Sequence, residues 1–499
     1  MREYQLYING QFGPAESGET FESINPHDGS VSCKCAKAGA KDVQKALEAA
    51  RAAFPAWSKK SPADRAKALR AMAGLIQKNM GAWAPIECED SGSVLRKAMG
   101  DMGQSLVTFN YYADQAERFE WMRPLPLIER PAMAQLYVVK EPLGVCSQII
   151  PWNFPLVMAA WKLGPALAMG NTVVLKPAED TPATAMEFTK AVHEAGILPP
   201  GVLNVLPGGA EAGREMASNP LADKVAFTGS TVVGKEIMER AAKTLKRVTL
   251  ELGGKSANIV LEDADLDSAI DAALWATFFH AGQACESGTR LFLPATLHDD
   301  VLSKLVEKTR KIRLGDPRQM TSDMGPVVSK KQFERVLGYI EKGKKEGARL
   351  AVGGKRAEGP GLEKGFYIEP TIFADVRNDM TVAREEIFGP VLCVLKYNKV
   401  EEAIELANQS SYGLGGGVWS KDLPKAMDVA RKLRTGTVWI NEYHMLNTAA
   451  PFGGYKESGI GREFGQEGLE AYVETKTIYL DLVGKREKKV WYDMIARRG

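Results

Sequence analysis

Two α/β domains, each built on an open parallel sheet, are what the sequence predicts, and three observations carry the prediction. Short apolar strands at residues 172–175, 202–206, 224–227 and 258–261 alternate with helical runs. Strands with no polar face, separated by helices, belong to a parallel sheet covered on both sides. The rhythm resumes later, with strands near 290–293, 391–396 and 437–440 and helices near 298–312, 329–346 and 424–434. The third observation is length, since 499 residues exceed what one hydrophobic core supports.

In chain order, residues 1–12 (MREYQLYINGQF) alternate like a strand and lack the apolar run of a signal peptide. Cys33 and Cys35 share one face of a predicted strand. Their Cα atoms would stand roughly 6.5–7 Å apart, at the limit for a bridge, so no disulfide is expected. Asp42 is placed to cap a helix bearing Val43, Ala46, Leu47 and Ala50. Ser61-Pro62 opens a second helix, to about Met80, with Asp64 in the capping-box position and Leu69, Met72, Ala73 and Ile76 on one face. A third helix is predicted over residues 101–121, and residues 132–141 (AMAQLYVVKE) form a strand polar enough to leave the main body.

From Pro142 to Trp161 twenty residues carry no formal charge, long enough for a membrane span. Pro142, Pro151 and Pro155 would break such a helix, and Gln148 and Asn153 would need partners in lipid. A buried loop and helix is the expectation. The helix after 172–175 starts at Thr181-Pro182, and the one after 224–227 runs through 233–242. Residues 483–499 are strongly basic and expected at the surface.

Composition narrows the function. Lys and Arg number 64 against 62 Asp and Glu, so neither nucleic acid nor a membrane is indicated as a partner. Six cysteines make no disulfide framework, and a reducing, cytoplasmic location is expected. Five scattered histidines give no metal-ligand spacing, so no metal is expected.

The chemistry centres on FFHAGQACESGTR at 278–290. Cys285 lies among small residues that let a ligand approach its sulfur and its backbone amide together. A lone cysteine reads equally as a small buried hydrophobe; its company decides. FTGSTVVG at 227–234 joins a strand to a helix, where amides and the helix dipole favour a pyrophosphate. It departs from GxGxxG, with Ser230 and Thr231 where glycine is expected. KPAE at 176–179 follows a strand, and Glu179 with Lys176 either holds ribose hydroxyls or forms a solvated pair. Glu251, followed by Gly253 and Gly254, is either a mobile general base or an ordinary turn carboxylate. PWNFP at 151–155 sets Asn153 rigidly between two aromatic residues, able to donate to an oxyanion.

Together these residues describe one reaction, and the chain resembles an NAD(P)-dependent aldehyde dehydrogenase of the hydrolytic branch. The resemblance spans essentially the whole length, on PWNFP, KPAE, FTGSTVVG, ELGGKS at 251–256, GQAC at 282–285, EEIFGPV at 385–391 and PFGGYKESGIGRE at 451–463. It implies two Rossmann-like domains: cofactor-binding over 1–121 and 142–253, and catalytic over 254–455. It also implies an oligomerisation arm and tail over 122–141 and 473–499, in a homodimer or homotetramer.

By resemblance, Cys285 adds to the aldehyde and Asn153 with the Cys285 N–H holds the oxyanion. Hydride passes to the cofactor, and Glu251 activates the water that releases the acid; Lys162 and Glu463 have a secondary proton-relay role. The cofactor would meet Trp152, Lys176, Glu179, Gly209, Gly229, Ser230, Gly234, Leu252, Gln332, Glu386 and Phe388. Glu179 leans the choice to NAD over NADP by repelling a 2′-phosphate. The substrate tunnel would be lined by Phe154, Met158, Trp161, Phe279, Glu286, Leu446 and Phe452, and suits an uncharged aliphatic or aromatic aldehyde.

Glu286 departs from the small residues commoner after the nucleophile. Either it points away and pairs with a basic neighbour, or it faces the tunnel, repels acidic aldehydes and raises the Cys285 pKa. His444 sits in the loop shaping the tunnel mouth. His280 is a conceivable partner for Cys285, although Glu251 serves better as base. The rival readings are a CoA-acylating dehydrogenase, which generally lacks the glutamate base, and a non-catalytic structural protein of the same fold.

Overall fold

The computed structural model describes residues 1–130 and 133–496. Ala132, the expected start of the arm strand, and residues 497–499 of the basic tail lie outside the described residues.

The first sheet has eight strands, in the order Gly459–Ile460, Arg247–Glu251, Lys224–Thr228, Val145–Ile149, Thr172–Lys176, Leu203–Val205, Leu6–Ile8 and Gln11–Gly13. Its five central strands are parallel. In chain order the middle one, Val145–Ile149, comes first; the chain builds outward to one side through 172–176 and 203–205, then to the other through 224–228 and 247–251. The direction therefore reverses between Val145–Ile149 and Lys224–Thr228. In open α/β sheets a crevice forms at that point, outside the carboxyl ends of the strands. Trp152 and Asn153 follow one of these two strands, and Gly229 and Ser230 follow the other.

The second sheet orders Arg349–Val352, Thr371–Ala374, Val391–Tyr397, Arg290–Pro294, Ala257–Val260, Gly415–Trp419 and Thr437–Ile440. All neighbours are parallel except the first pair. Its core is built from strand residues such as Ile259, Phe292, Phe373 and Val394, with Val336 and Ile340 from a covering helix. Helices Pro62–Ser91, Leu95–Arg118 and Pro155–Ala168 cover one face of the first sheet, burying Leu69, Met72, Phe109 and Leu163. Val43, Leu47 and Met216 cover the other face.

Several elements depart from expectation for local reasons. Asp42 is not the N-cap of the first helix, Ala40–Trp57: the cap is Gly39, and Asp42 reaches back from the first turn to accept the Gly39 N–H at 3.0 Å. Ser61 does cap the second, accepting from the Asp64 N–H at 3.1 Å while its hydroxyl donates to the Asp64 carboxylate at 2.8 Å. That helix runs past Met80 to Ser91 despite Pro85, held by its packing on the third, Leu95–Arg118, which begins and ends before the expected bounds.

The uncharged segment contains the strand Val145–Ile149 and a fully buried helix, Pro155–Ala168, opened by Pro155 in its first turn. Proline is tolerated there because the first helical N–H has no intrahelical acceptor. No helix among the described residues is long and apolar enough to cross a membrane. The strand Gly415–Trp419 (GGGVW) escaped notice because glycine is depleted in strands. Its glycines are needed for space: a Cβ on Gly417 would lie 2.7 Å from Asn258 Oδ1 and 2.8 Å from the Tyr443 ring.

A three-stranded antiparallel sheet of Met122–Pro124, Ala134–Pro142 and Val473–Asp481 stands apart from the two main sheets. Its outer strand exposes Ile478, Tyr479 and Leu480. Cys33 and Cys35 lie in a separate small sheet as free thiols, their sulfurs 3.9 Å apart.

Candidate active site

Glu251 is the last residue of its strand, at the carboxyl edge of the first sheet. Cys285 lies just ahead of Arg290–Pro294, at the amino edge of the second. The two edges enclose a cavity of about 1100 Å³. That exceeds an ordinary small-ligand pocket and has room for a dinucleotide beside a substrate. Cys285, Glu251 and Asn153 all line it.

The Cys285 loop is shaped by two close backbone approaches. Gly282 has φ +73°, and a Cβ there would sit 2.1 Å from the Gly389 carbonyl oxygen; one on Gly254 would sit 2.3 Å from the Cys285 carbonyl oxygen. Gln283 ties the turn down, accepting from the Val328 N–H at 3.0 Å and donating to the His280 carbonyl at 3.0 Å. Asn153 donates one amide hydrogen to the Gln283 carbonyl at 2.8 Å, which leaves the other available. The Cys285 N–H has no acceptor among the described residues. Asn153 and Cys285 line the same cavity, and two free donors of this kind are what an oxyanion needs.

Glu251 is buried, and neither carboxylate oxygen has a hydrogen-bonding partner among the described residues. Burial, reinforced by the nearby Glu463, pushes its pKa well above the usual range. Gly453 makes room for it, since a Cβ there would lie 2.5 Å from Oε1. Lys162 and Glu463 form a buried ion pair at 2.6 Å outside the cavity wall. Lys162 opposes the upward shift of Glu251 while Glu463 adds to it, so the pair acts on Glu251 through space.

Trp152, Gly229, Ser230, Leu252, Gln332, Glu386 and Phe388 line the same cavity. The Trp152 and Phe388 rings meet edge to face at 5.2 Å. Gln332 donates to the Phe388 carbonyl at 2.7 Å. Glu386 accepts the Gly254 N–H at 2.9 Å, and burial pushes its pKa up to about 7. Ser230 caps Thr231–Ala242, its hydroxyl accepting the Val233 N–H. Lys176, Glu179, Gly209 and Gly234 lie outside that lining. Gly234 instead lets the helix close on the sheet: a Cβ there would be 2.5 Å from Leu252. Gly209 lies under Glu179, whose carboxylate a Cβ would meet at 2.7 Å. Lys176 donates to the Gly208 carbonyl at 2.6 Å, and burial lowers its pKa to about 8.

Phe154, Met158, Trp161, Phe279, Leu446 and Phe452 line the cavity with Glu286. Glu286 does not point away. It accepts the Cys285 thiol hydrogen at 3.2 Å on Oε2 and meets His444 Nδ1 at 2.9 Å through Oε1. The expected pairing with a basic residue therefore occurs inside the cavity. His280 forms no pair with Cys285; its Nδ1 faces Ser93 Oγ at 3.4 Å, and burial lowers its pKa well below the usual range. No local motif marks Lys97, which donates to the Asn153 carbonyl at 3.0 Å and to Asp101 at 2.5 Å. It lies on a distant helix that only the fold brings to the site.

The model of the aldehyde dehydrogenase family matches residues 12–478. An aldehyde dehydrogenase of Davidiella tassiana is 46% identical over 480 residues, 96% of this chain and 95% of that protein. The crystal structure of a betaine aldehyde dehydrogenase from Staphylococcus aureus, in complex with NAD+, superposes with a TM-score of 0.94 at 39% identity, covering 96% of this chain and 95% of that one. An aldehyde dehydrogenase from Bacillus cereus, also in complex with NAD+, gives a TM-score of 0.93 at 46% identity over 96% and 97% of the two chains. The chain belongs to the aldehyde dehydrogenase family, whose members oxidise aldehydes with a nicotinamide dinucleotide.

Proposed function

We propose that this protein oxidises an uncharged aldehyde to its carboxylic acid, with Cys285 as nucleophile and Glu251 as the base that activates water. The observation that carries this reading is the buried, unpartnered Glu251 carboxyl in the cavity that holds the Cys285 sulfur. A buried carboxyl without a hydrogen bond is costly to the fold, which supports a functional reason for its position.

The donor set fits a dinucleotide. First-turn amides at Ser230 suit the pyrophosphate, and Glu386 and Gln332 suit the ribose nearer the nicotinamide. Glu179, exposed over Gly209, suits the hydroxyls of the adenine ribose and favours NAD over NADP. When bound, NAD+ supplies the hydride acceptor that turns the Cys285 adduct into a thioester. The protein does the rest. Cys285 forms the C–S bond, and Asn153 and the Cys285 N–H hold the oxyanion. Glu251, once ionised, removes the proton from the water that attacks the thioester.

Phe154, Met158, Trp161, Phe279, Leu446 and Phe452 make an apolar approach, and Glu286 meets it paired with His444. Both features support an uncharged aliphatic or aromatic aldehyde. The exposed apolar strand Val473–Asp481 supports self-association into a homodimer or homotetramer. A single-chain mass in light scattering would count against it. Six free thiols support a reducing compartment, and we assign the cytoplasm.

Product analysis with and without CoA tests the reaction. Wild type with NAD+ and a neutral aldehyde is expected to yield the free acid without CoA, and no acyl-CoA when CoA is added. A product that forms only with CoA would overturn the hydrolytic reading.

A further inference from the structure

The contact that the proposed reaction leaves unused is the chain Cys285 Sγ to Glu286 Oε2, and Glu286 Oε1 to His444 Nδ1. Glu286 and His444 are buried, 8% and 5% exposed, and Cys285 is half-buried. The second nitrogen of His444, Nε2, meets the Ala276 carbonyl oxygen at 3.3 Å. A carbonyl only accepts, so Nε2 carries a hydrogen. Nδ1 faces a carboxylate oxygen, and the carboxylate also accepts the thiol hydrogen. Glu286 thus stands between two neighbours, the Cys285 thiol on one carboxyl oxygen and His444 Nδ1 on the other.

The loop is built to hold this pair. Tyr443 donates its hydroxyl to the Glu286 carbonyl at 2.9 Å, and Trp439 donates to the Met445 carbonyl at 2.7 Å, fixing the residues on either side of His444. His444 has φ +67°, a strained value for a non-glycine residue. Its ring packs among Trp275, Phe279 and Tyr443 at 5.8, 5.3 and 5.1 Å between centroids, which fixes its orientation.

We propose that Glu286, held by His444 Nδ1, is the base that takes the proton of Cys285 as the thiol adds to the aldehyde. The S–H bond breaks as the C–S bond forms. The proton goes to Glu286 Oε2, and the carbonyl π pair goes to the oxygen held by Asn153 and the Cys285 N–H. Nothing is oxidised or reduced in this step, and no proton need leave the cavity. Glu286 touches the reacting sulfur and is a catalytic residue; His444 acts through it and is a positioning residue. The inference rests on Cys285 being the nucleophile, as proposed above, and divides the work between two glutamates. Glu286 serves addition, and Glu251 serves hydrolysis.

The resting state agrees with this division. Burial raises the pKa of Cys285 well above the usual thiol range, and Glu286, Glu386 and Glu251 add to the shift. Burial alone would raise Glu286, but hydrogen bonding and charge attraction from His444 more than offset it, leaving its pKa below the usual range. The sulfur therefore rests as a thiol and loses its proton only during addition. Those three carboxyl groups face Cys285, and Glu286 faces His444.

Alkylation by iodoacetamide and the NADH burst should move in opposite directions in Glu286→Gln. Cys285 is the only half-exposed free cysteine among the described residues, so alkylation followed by intact mass reports on it without aldehyde. Removing the carboxylate lowers the thiol pKa, and alkylation at pH 7 should rise about tenfold, one pKa unit. Removing the base should slow the aldehyde-dependent burst roughly a hundredfold. His444→Gln, which keeps a donor to Glu286 but loses the imidazole, should move the acid limb of the burst to higher pH, because Glu286 then protonates more easily. Glu286→Asp should recover part of the burst.

An increase in both alkylation and burst would mean that Glu286 only repels the thiolate, and would overturn the proposal. So would an unchanged alkylation rate, or an unshifted limb in His444→Gln. Aldehyde oxidation that survives in Cys285→Ala would instead sink the proposed function itself. Should Glu286→Gln fail to bind NAD+, the His444→Gln profile decides.

Discussion

Glu251→Gln is expected to release one NADH per active site and then nearly stop. Glutamine has the shape of glutamate but no basicity, so addition and hydride transfer proceed while hydrolysis does not. General-base assistance contributes about 10²–10⁴-fold, and steady turnover should fall by at least a hundredfold. The burst amplitude should match wild type, because Glu251 makes no hydrogen bond among the described residues that the substitution would break. A loss of the burst along with turnover would place Glu251 in addition rather than hydrolysis.

The same residue sets a pH dependence whose sign follows from its surroundings. Burial and Glu463 raise the Glu251 pKa, so at low pH the carboxyl is neutral and cannot take a proton from water. Steady turnover should therefore rise with pH through a value above the usual glutamate range, while Glu251→Gln loses that limb.

Asn153→Ala is the second large effect, expected to lower kcat by about 10²–10³-fold, the range for loss of one oxyanion donor. KM should change little, because the donor acts on charge that develops only after addition. The side chain is also a strut: it donates to the Gln283 carbonyl at 2.8 Å, and Lys97 grips the Asn153 carbonyl from behind. Asn153→Asp separates the two roles, keeping the size while placing a negative charge where the oxyanion forms. It should be at least as slow as Ala; an Asp variant faster than Ala would contradict oxyanion stabilisation.

The alternation of strands and helices carried the fold class because apolar period and strand length are local properties. The sheet order was not legible, since only packing decides that Val145–Ile149 lies between Thr172–Lys176 and Lys224–Thr228. The strand Gly415–Trp419 was not legible because a glycine such as Gly417 answers to Asn258 and Tyr443, which only the fold brings to it. In the site, short motifs marked Cys285, Glu251 and Asn153 because each needs particular neighbours in the chain. Lys97 carries no such mark and reaches Asn153 from a long helix; His444 stands out only by its place in the tunnel-mouth loop, and its pairing with Glu286, more than 150 residues away, is not legible. Gly234 shows a second demand on a motif glycine, because the fold also needs it bare to bring Leu252 close.

The most direct test of the account is peptide mapping of Glu251→Gln quenched after mixing with NAD+ and a simple aliphatic aldehyde. One acyl mass per chain is expected, on the peptide containing Cys285, and none when NAD+ is omitted or Cys285 is also replaced by Ala. An unmodified Cys285 during a normal NADH burst, or an acyl group on another residue, would contradict it.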